Sequence, residues 1–203
     1  NTWEQEIAIL KAQLSSFNEG QIIVEYTIPR MGKRVDVVLL HNNIVFLLEF
    51  KCGASEYHST AYDQVYDYAL DLRNFHKESH HKLLVPVVIS TLALAVENTI
   101  NDKERILTPL RCNAHNLSNA IQQVSAAYKE VPFDYHQWEK SEYLPTPTIV
   151  EAAQALYRGH NVHDITRSDA GATNLTITTA ELSKIIEYIK QNHRKSSCFG
   201  TGV

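Results

Sequence analysis

The chain has 203 residues, of which 44% are hydrophobic and 21% charged, enough apolar material for one large globular domain or one and a half. Its formal net charge of −4 excludes a basic tail as the means of holding nucleic acid, so any such binding has to come from local clusters. Cys52, Cys112 and Cys198 are far apart and odd in number, which excludes a disulfide framework or a zinc spacing and points to a reducing cytoplasm; no apolar run reaches transmembrane length, so no membrane partner is expected.

Residues 3–17 read as an amphipathic helix, with Thr2 as its N-cap and Trp3, Ile7, Leu10 and Leu14 at three- and four-residue steps. Gly20 stops it. Residues 21–28 alternate as a strand, with Ile22, Val24, Tyr26 and Ile28 on one face and Ile23, Glu25 and Thr27 on the other. Pro29-Arg30-Met31-Gly32 is a turn, after which the chain returns antiparallel and brings Glu25 to within a residue of Asp36. Arg30, Lys33 and Arg34 cluster in and after this turn. Phosphates dominate nucleic-acid affinity, so the three are candidate phosphate contacts, although three loop charges more often only keep a surface soluble.

Two apolar runs, residues 35–40 and 44–50, flank His41-Asn42-Asn43. Asparagine tolerates positive φ, so Asn42-Asn43 suits a two-residue hairpin turn. His41 then faces Ile44, and the same register sets Asp36 opposite Glu49. Alternation puts Glu49 and Lys51 on one face. Two carboxylates and an amine thus meet in an apolar sheet, an arrangement that is costly unless a hard cation such as Mg²⁺ sits between the anions.

Asp36 followed by Glu49-Phe50-Lys51 resembles the PD-(D/E)xK nuclease superfamily, with Val35 standing where the motif name has proline. The resemblance implies an α/β, restriction-endonuclease-like αβββαβ core, a mixed central sheet flanked by helices. It implies that Asp36 and Glu49 hold Mg²⁺ or Mn²⁺, with the Phe50 carbonyl as a further ligand, and that Lys51 orients or activates the attacking water. A further glutamate often comes from the first helix in that superfamily, a role Glu6 matches by position. Glu25, from the strand register, is the other candidate. The bland readings are a solvated first-turn acid and a solvent-facing strand acid.

Residues 59–75 read as a helix with Tyr62, Val65, Ala69 and Leu72 on its apolar stripe and Gln64, Tyr68 and Asp71 on another face. Gln64 and Tyr68 form Gln-x-x-x-Tyr, similar to the extra motif of the RecB-like branch of the superfamily. That likeness implies a catalytic positioning role for Gln64 and nucleic-acid contact for Tyr68. His76 and His80 have a metal-ligand spacing but no evident cysteine or acid partner. Residues 83–91 form the next strand, parallel to 44–51, at an edge or starting late because Pro86 lacks a ladder donor. Residues 106–112 suggest another strand interrupted at Pro109, and 117–129 a helix with Ile121, Val124 and Ala127 inside. Tyr135, Trp138 and Tyr143 are loop aromatics that can stack on bases or pack a domain seam.

A boundary near residues 143–147 divides the chain into 1–142 and 143–203. Thr148 to Glu151 and Thr178 to Glu181 are capping boxes opening helices to Tyr157 and Gln191, with a short helix over 162–165. Residues 196–203 read as a strand running into Gly202, the first glycine of a phosphate-binding loop without its lysine and hydroxyl. The stretch YLPTPTIVEAAQALYRGHNVHDITRSDAGATNLTITTAEL is similar to the lead-in to the helicase domain of the Schlafen-group-3-like helicase family. EYTIPRMGKRVDVVLL and DQVYDYALDLRNFH are similar to that family's N-terminal nuclease-like domain. The resemblance implies a nuclease domain followed by the helical lead-in of a P-loop helicase domain truncated before its ATP site, so ATP is expected only in the full-length protein. The expected activity is Mg²⁺- or Mn²⁺-dependent hydrolysis of DNA, with RNA as the second candidate and the downstream helicase domain as partner. The rival expectation is a catalytically silent module that binds nucleic acid or a partner for the helicase.

Overall fold

The structure, a computed structural model, describes residues 2–157 and Lys184. The helix expected at 162–165 and the strand expected at 196–203 lie outside the described residues; of the helix expected from Thr178, only Lys184 is described, and it is helical. The elements run α1 (Thr2–Leu14), β1 (Gln21–Thr27), β2 (Arg34–His41), β3 (Ile44–Lys51), α2 (Ser59–Phe75) and β4 (Leu84–Ser90). They continue with the short strands β5 (Asp102–Lys103), β6 (Ile106–Leu107) and β7 (Leu110–Cys112), then α3 (Leu117–Ala127), α4 (Tyr135–Glu139) and α5 (Pro147–Tyr157). The fold is α/β. A mixed, open seven-stranded sheet has the order β1-β2-β3-β4-β6-β5, with β7 also pairing β4. The antiparallel β1-β2-β3 half joins the parallel β3-β4 half at β3.

Two apolar layers cover the sheet. On one side Ile9, Leu10 and Leu14 of α1 and Leu117, Ile121 and Val124 of α3 pack on Phe46, Leu48 and Phe50. On the other, Val65, Tyr68 and Leu72 of α2 and Trp138 of α4 pack on Val45, Leu47 and Val88. Leu10 and Leu14 of the expected α1 stripe are buried, but Trp3 and Ile7 are exposed, and at that end Gln5 and Glu6 reach Thr91 and Cys52. The first turns of α1 cross the ends of β3 and β4, where the sheet offers polar partners, so the apolar-periodicity rule misplaces that face.

The hairpin forms as its asparagines require, with φ 49° at Asn42 and 64° at Asn43, and the register runs from His41–Ile44 to Val37–Leu48. β1 departs from simple alternation. Glu25 takes φ 54°, and beyond it Tyr26 and Ile28 join the layer of Ile23, while Ile22 and Val24 stay exposed. β2 switches in step, since Val35 packs in the layer of Val38 and not that of Val37. β4 is not an edge strand. It pairs β3 along its length, β6 at Leu84 and β7 from Val87 to Ile89, and Pro86 falls in the gap between β6 and β7, where no donor is needed. The interruption expected at Pro109 is the break between those two short strands. α3 ends at Ala127, which is exposed.

The first compact unit closes at Thr146 and the second begins at Pro147. Leu144 N–H donates to the Phe75 carbonyl at 2.8 Å and Thr146 N–H to the Asn74 carbonyl at 2.9 Å, which ties residues 143–146 to the end of α2. Proline at the first position of α5 suits a helix start, because its missing N–H would have had no partner there. Among the described residues no helix is long and apolar enough to cross a membrane.

Candidate active site

Every side chain of β3 from Ile44 to Phe50 is buried, and Glu49 is 4% exposed. Glu49 and Lys51 share the α2 face. There they close a triangle with Gln64 from the second turn of α2. Lys51 Nζ donates to Glu49 Oε1 at 2.9 Å and to Gln64 Oε1 at 3.0 Å, and Gln64 Nε2 donates to Glu49 Oε1 at 2.8 Å. Gln64 Nε2 also donates to Tyr68 Oη at 2.7 Å, so the four-residue step of Gln-x-x-x-Tyr is realised as a contact across one helical turn. The Tyr68 ring is buried in the α2-side core. It braces Gln64 rather than presenting a face to nucleic acid.

The β2–β3 ladder stops one pair short of setting Asp36 opposite Glu49. Instead Asp36 Oδ2 accepts the Phe50 N–H at 2.8 Å. The departure coincides with the face switch at Glu25 in β1 and Val35 in β2. The ring of Phe50 lies in the opposite layer, so only its backbone is available to the site.

Burial pushes the Asp36 carboxyl above its ordinary range, opposed by the Phe50 N–H and by Lys51. Burial also pushes Glu49 up, opposed by its hydrogen bond to Lys51 and reinforced by the charge of Asp36. Glu49 Oε2 is buried without a hydrogen-bond partner. A partnerless carboxylate oxygen beside a second acid is what a hard divalent cation relieves, and the donor set (two carboxylates, the Phe50 carbonyl and the Gln64 amide oxygen) is all oxygen. The residues present therefore fit Mg²⁺ or Mn²⁺. Among the described residues no three His, Cys, Asp or Glu side chains gather around one point.

Neither extra glutamate joins the pair. Glu6 reaches the strand ends from α1 but accepts from Cys52 Sγ at 3.8 Å, and burial and then the charge of Asp36 push it up. Glu25 pairs with Arg34 at 2.5 Å. The basic candidates are likewise engaged: Lys33 Nζ lies 3.0 Å from Asp71 and 3.8 Å from Asp67, and the Arg30 guanidinium sits 5.3 Å from the Tyr143 ring centroid.

His76 and His80 do not form a metal pair. His76 is fully buried, with Nε2 3.0 Å from Tyr26 Oη and Nδ1 2.7 Å from Ser79 Oγ, and Trp138 Nε1 donates to the same Ser79 oxygen at 2.9 Å. Trp138, expected in a loop, is the core of this knot. The sequence reading missed Ser90. It pairs with Lys51 across β3–β4, is 1% exposed, and its Oγ has no partner. Nothing local marks it, because parallel register is decided by the crossover through α2 and not by either strand.

Comparison with protein-family models, with curated proteins and with solved structures finds no match to this chain.

Proposed function

We propose that this chain is a Mg²⁺- or Mn²⁺-dependent phosphodiesterase acting on DNA, with a restriction-endonuclease-like αβββαβ core, and that it works in front of a helicase domain. The observation that carries the reading is the Lys51–Glu49–Gln64 triangle beside Asp36, with Glu49 Oε2 buried and partnerless. Asp36 and Glu49 would hold the cation, with the Phe50 carbonyl. When bound, it supplies charge stabilisation to a phosphoryl group and acidifies a water. Lys51 is the only ammonium in the triangle. It donates to a non-bridging phosphoryl oxygen or orients the attacking water once it releases Glu49. Gln64 holds Lys51 through its carbonyl oxygen, and Tyr68 holds Gln64.

The test is cleavage of labelled DNA with Mg²⁺ or Mn²⁺ by the parent, Lys51→Ala and Asp36→Ala. Equal cleavage by all three would falsify the reading, since it would come from a contaminant. One observation favours the rival, a silent binding module: Glu49 Oε1 is already satisfied by Lys51 and Gln64. Calorimetric titration with Mn²⁺ separates the two. Heat of binding that disappears in Glu49→Gln supports the enzyme, and no binding at millimolar ion with DNA affinity intact supports the module.

A further inference from the structure

Beside this site a cavity of about 580 Å³ opens between the start of α2, the loop carrying Asn98 and Thr99, and β7. Tyr57, Tyr62 and Arg111 stand on its wall. The sheet register places Arg111. Val88 pairs with it on one side of β4, and Ser90 pairs with Lys51 on the other. Val88 packs in the α2-side layer, so Arg111, Ser90 and Lys51 all share that face. Arg111 lies two strand spacings across and two residues along from Lys51, roughly 12 Å away in the backbone.

The wall is built by long-range contacts. Asn98 clamps both backbone groups of Arg111: its Nδ2 donates to the Arg111 carbonyl at 3.0 Å, and its Oδ1 accepts the Arg111 N–H at 2.7 Å. Tyr57 Oη donates to the Leu94 carbonyl at 3.1 Å, which fixes its ring. Tyr62 packs against the α2-side core. The Arg111 guanidinium has no hydrogen bond or ion pair among the described residues, and its charge reaches both tyrosines, opposing the rise that burial imposes on their hydroxyls.

Two fixed aromatic rings and an uncommitted guanidinium suit a nucleobase and the phosphate beside it, through stacking and a charge-assisted fork. A base paired and stacked in a duplex has no free face to offer, so the ligand is an unpaired strand. We propose that the cavity receives one unstacked base of a single-stranded polynucleotide, with the neighbouring phosphate on Arg111, and that the strand crosses the ends of β7, β4 and β3 towards Lys51. Only the course of the strand rests on the phosphodiesterase reading. Asp63, also on the wall, accepts from an exocyclic amine of the base.

The test is fluorescence anisotropy of a labelled single-stranded DNA of mixed sequence, in EDTA so that cation-dependent cleavage is absent. The parent chain is compared with Arg111→Gln and Tyr57→Leu. Asn98 grips Arg111 through its backbone, so Arg111→Gln keeps the wall, and an unchanged unfolding temperature verifies it. The single strand should bind more tightly than the duplex of the same sequence, and each variant should lose about tenfold in affinity. Arg111→Gln should also lower the salt slope by about 0.7. Cleavage by the parent, abolished in Lys51→Ala, is read separately. Loss of binding in the variants supports the cavity even where the parent cuts nothing. Undiminished binding in Arg111→Gln, or the same losses on duplex as on single strand, overturns it whatever the cleavage result.

Discussion

The Asp36 carboxylate accepts the Phe50 backbone N–H at 2.8 Å, so a side chain replaces a strand rung immediately before Lys51. Asp36→Asn keeps an acceptor oxygen and removes the charge, whereas Asp36→Ala leaves a buried N–H unsatisfied. Alanine should cost about 1–3 kcal/mol in urea unfolding and asparagine clearly less, while both abolish cleavage. Equal stability of the two variants would show that this rung carries no weight.

Lys51 and Glu49 should behave as a coupled pair. Lys51→Met leaves Glu49 with Gln64 as its donor. Breaking a fully buried pair costs about 3–5 kcal/mol, and the roughly one-third exposure of Lys51 reduces the expectation to about 1–2 kcal/mol. Adding Glu49→Gln to that variant should recover most of the loss. A double-mutant cycle by chemical denaturation gives the coupling, and a value near zero would dissolve the triangle as a unit.

Mn²⁺ should raise the unfolding temperature of the parent at neutral pH, by an increment worth about 2.7 kcal/mol at a hundredfold excess over Kd. Burial raises both Asp36 and Glu49, so protons compete with the ion and the increment should shrink as the pH falls towards 5. Glu49→Gln should show no increment at either pH. Scanning calorimetry with and without the ion decides it, and an equal rise in parent and variant would place the ion elsewhere.

His76 supplies a separate pH dependence. Burial pushes it down to about 4 from an ordinary 6.5. The folded chain keeps this imidazole neutral while the unfolded chain protonates it, so its contribution is whole above 6.5 and is lost as the pH falls through 4. The loss amounts to about 3 kcal/mol at full extent. Asp36 and Glu49, being raised, act in the opposite sense over the acid part of this window. The readout is therefore the difference between parent and His76→Gln, whose stability should fall less steeply between pH 6.5 and 4. Parallel curves would mean the imidazole is not held neutral.

Much of the fold is legible in single segments. Asn42-Asn43 between two apolar runs specifies the hairpin, because few residues tolerate the φ values of 49° and 64° that the turn adopts. Alternation alone puts Glu49 and Lys51 on one face, and a helical step alone lets Gln64 reach Tyr68. Pro86 illustrates the limit. Its missing donor says that one neighbour is absent at that residue, not that a whole edge is free, and the gap between β6 and β7 satisfies it.

Other features depend on residues far apart in the chain. Asp36 bonds to Phe50 and not to a partner strand residue because β1 and β2 switch faces together at Glu25, a choice made by packing on both sides of the sheet. The start of α1 meets Thr91 and Cys52 through Gln5 and Glu6 because of what lies at the ends of β3 and β4. Ser90 comes beside Lys51, and Arg111 two strands away, through parallel pairings closed by long crossovers. Local patterns determine what a segment is, since backbone sterics and side-chain period act over a few residues. Which segments become neighbours is settled only when the apolar layers close, because that free energy belongs to the packed assembly and to no stretch of the chain by itself.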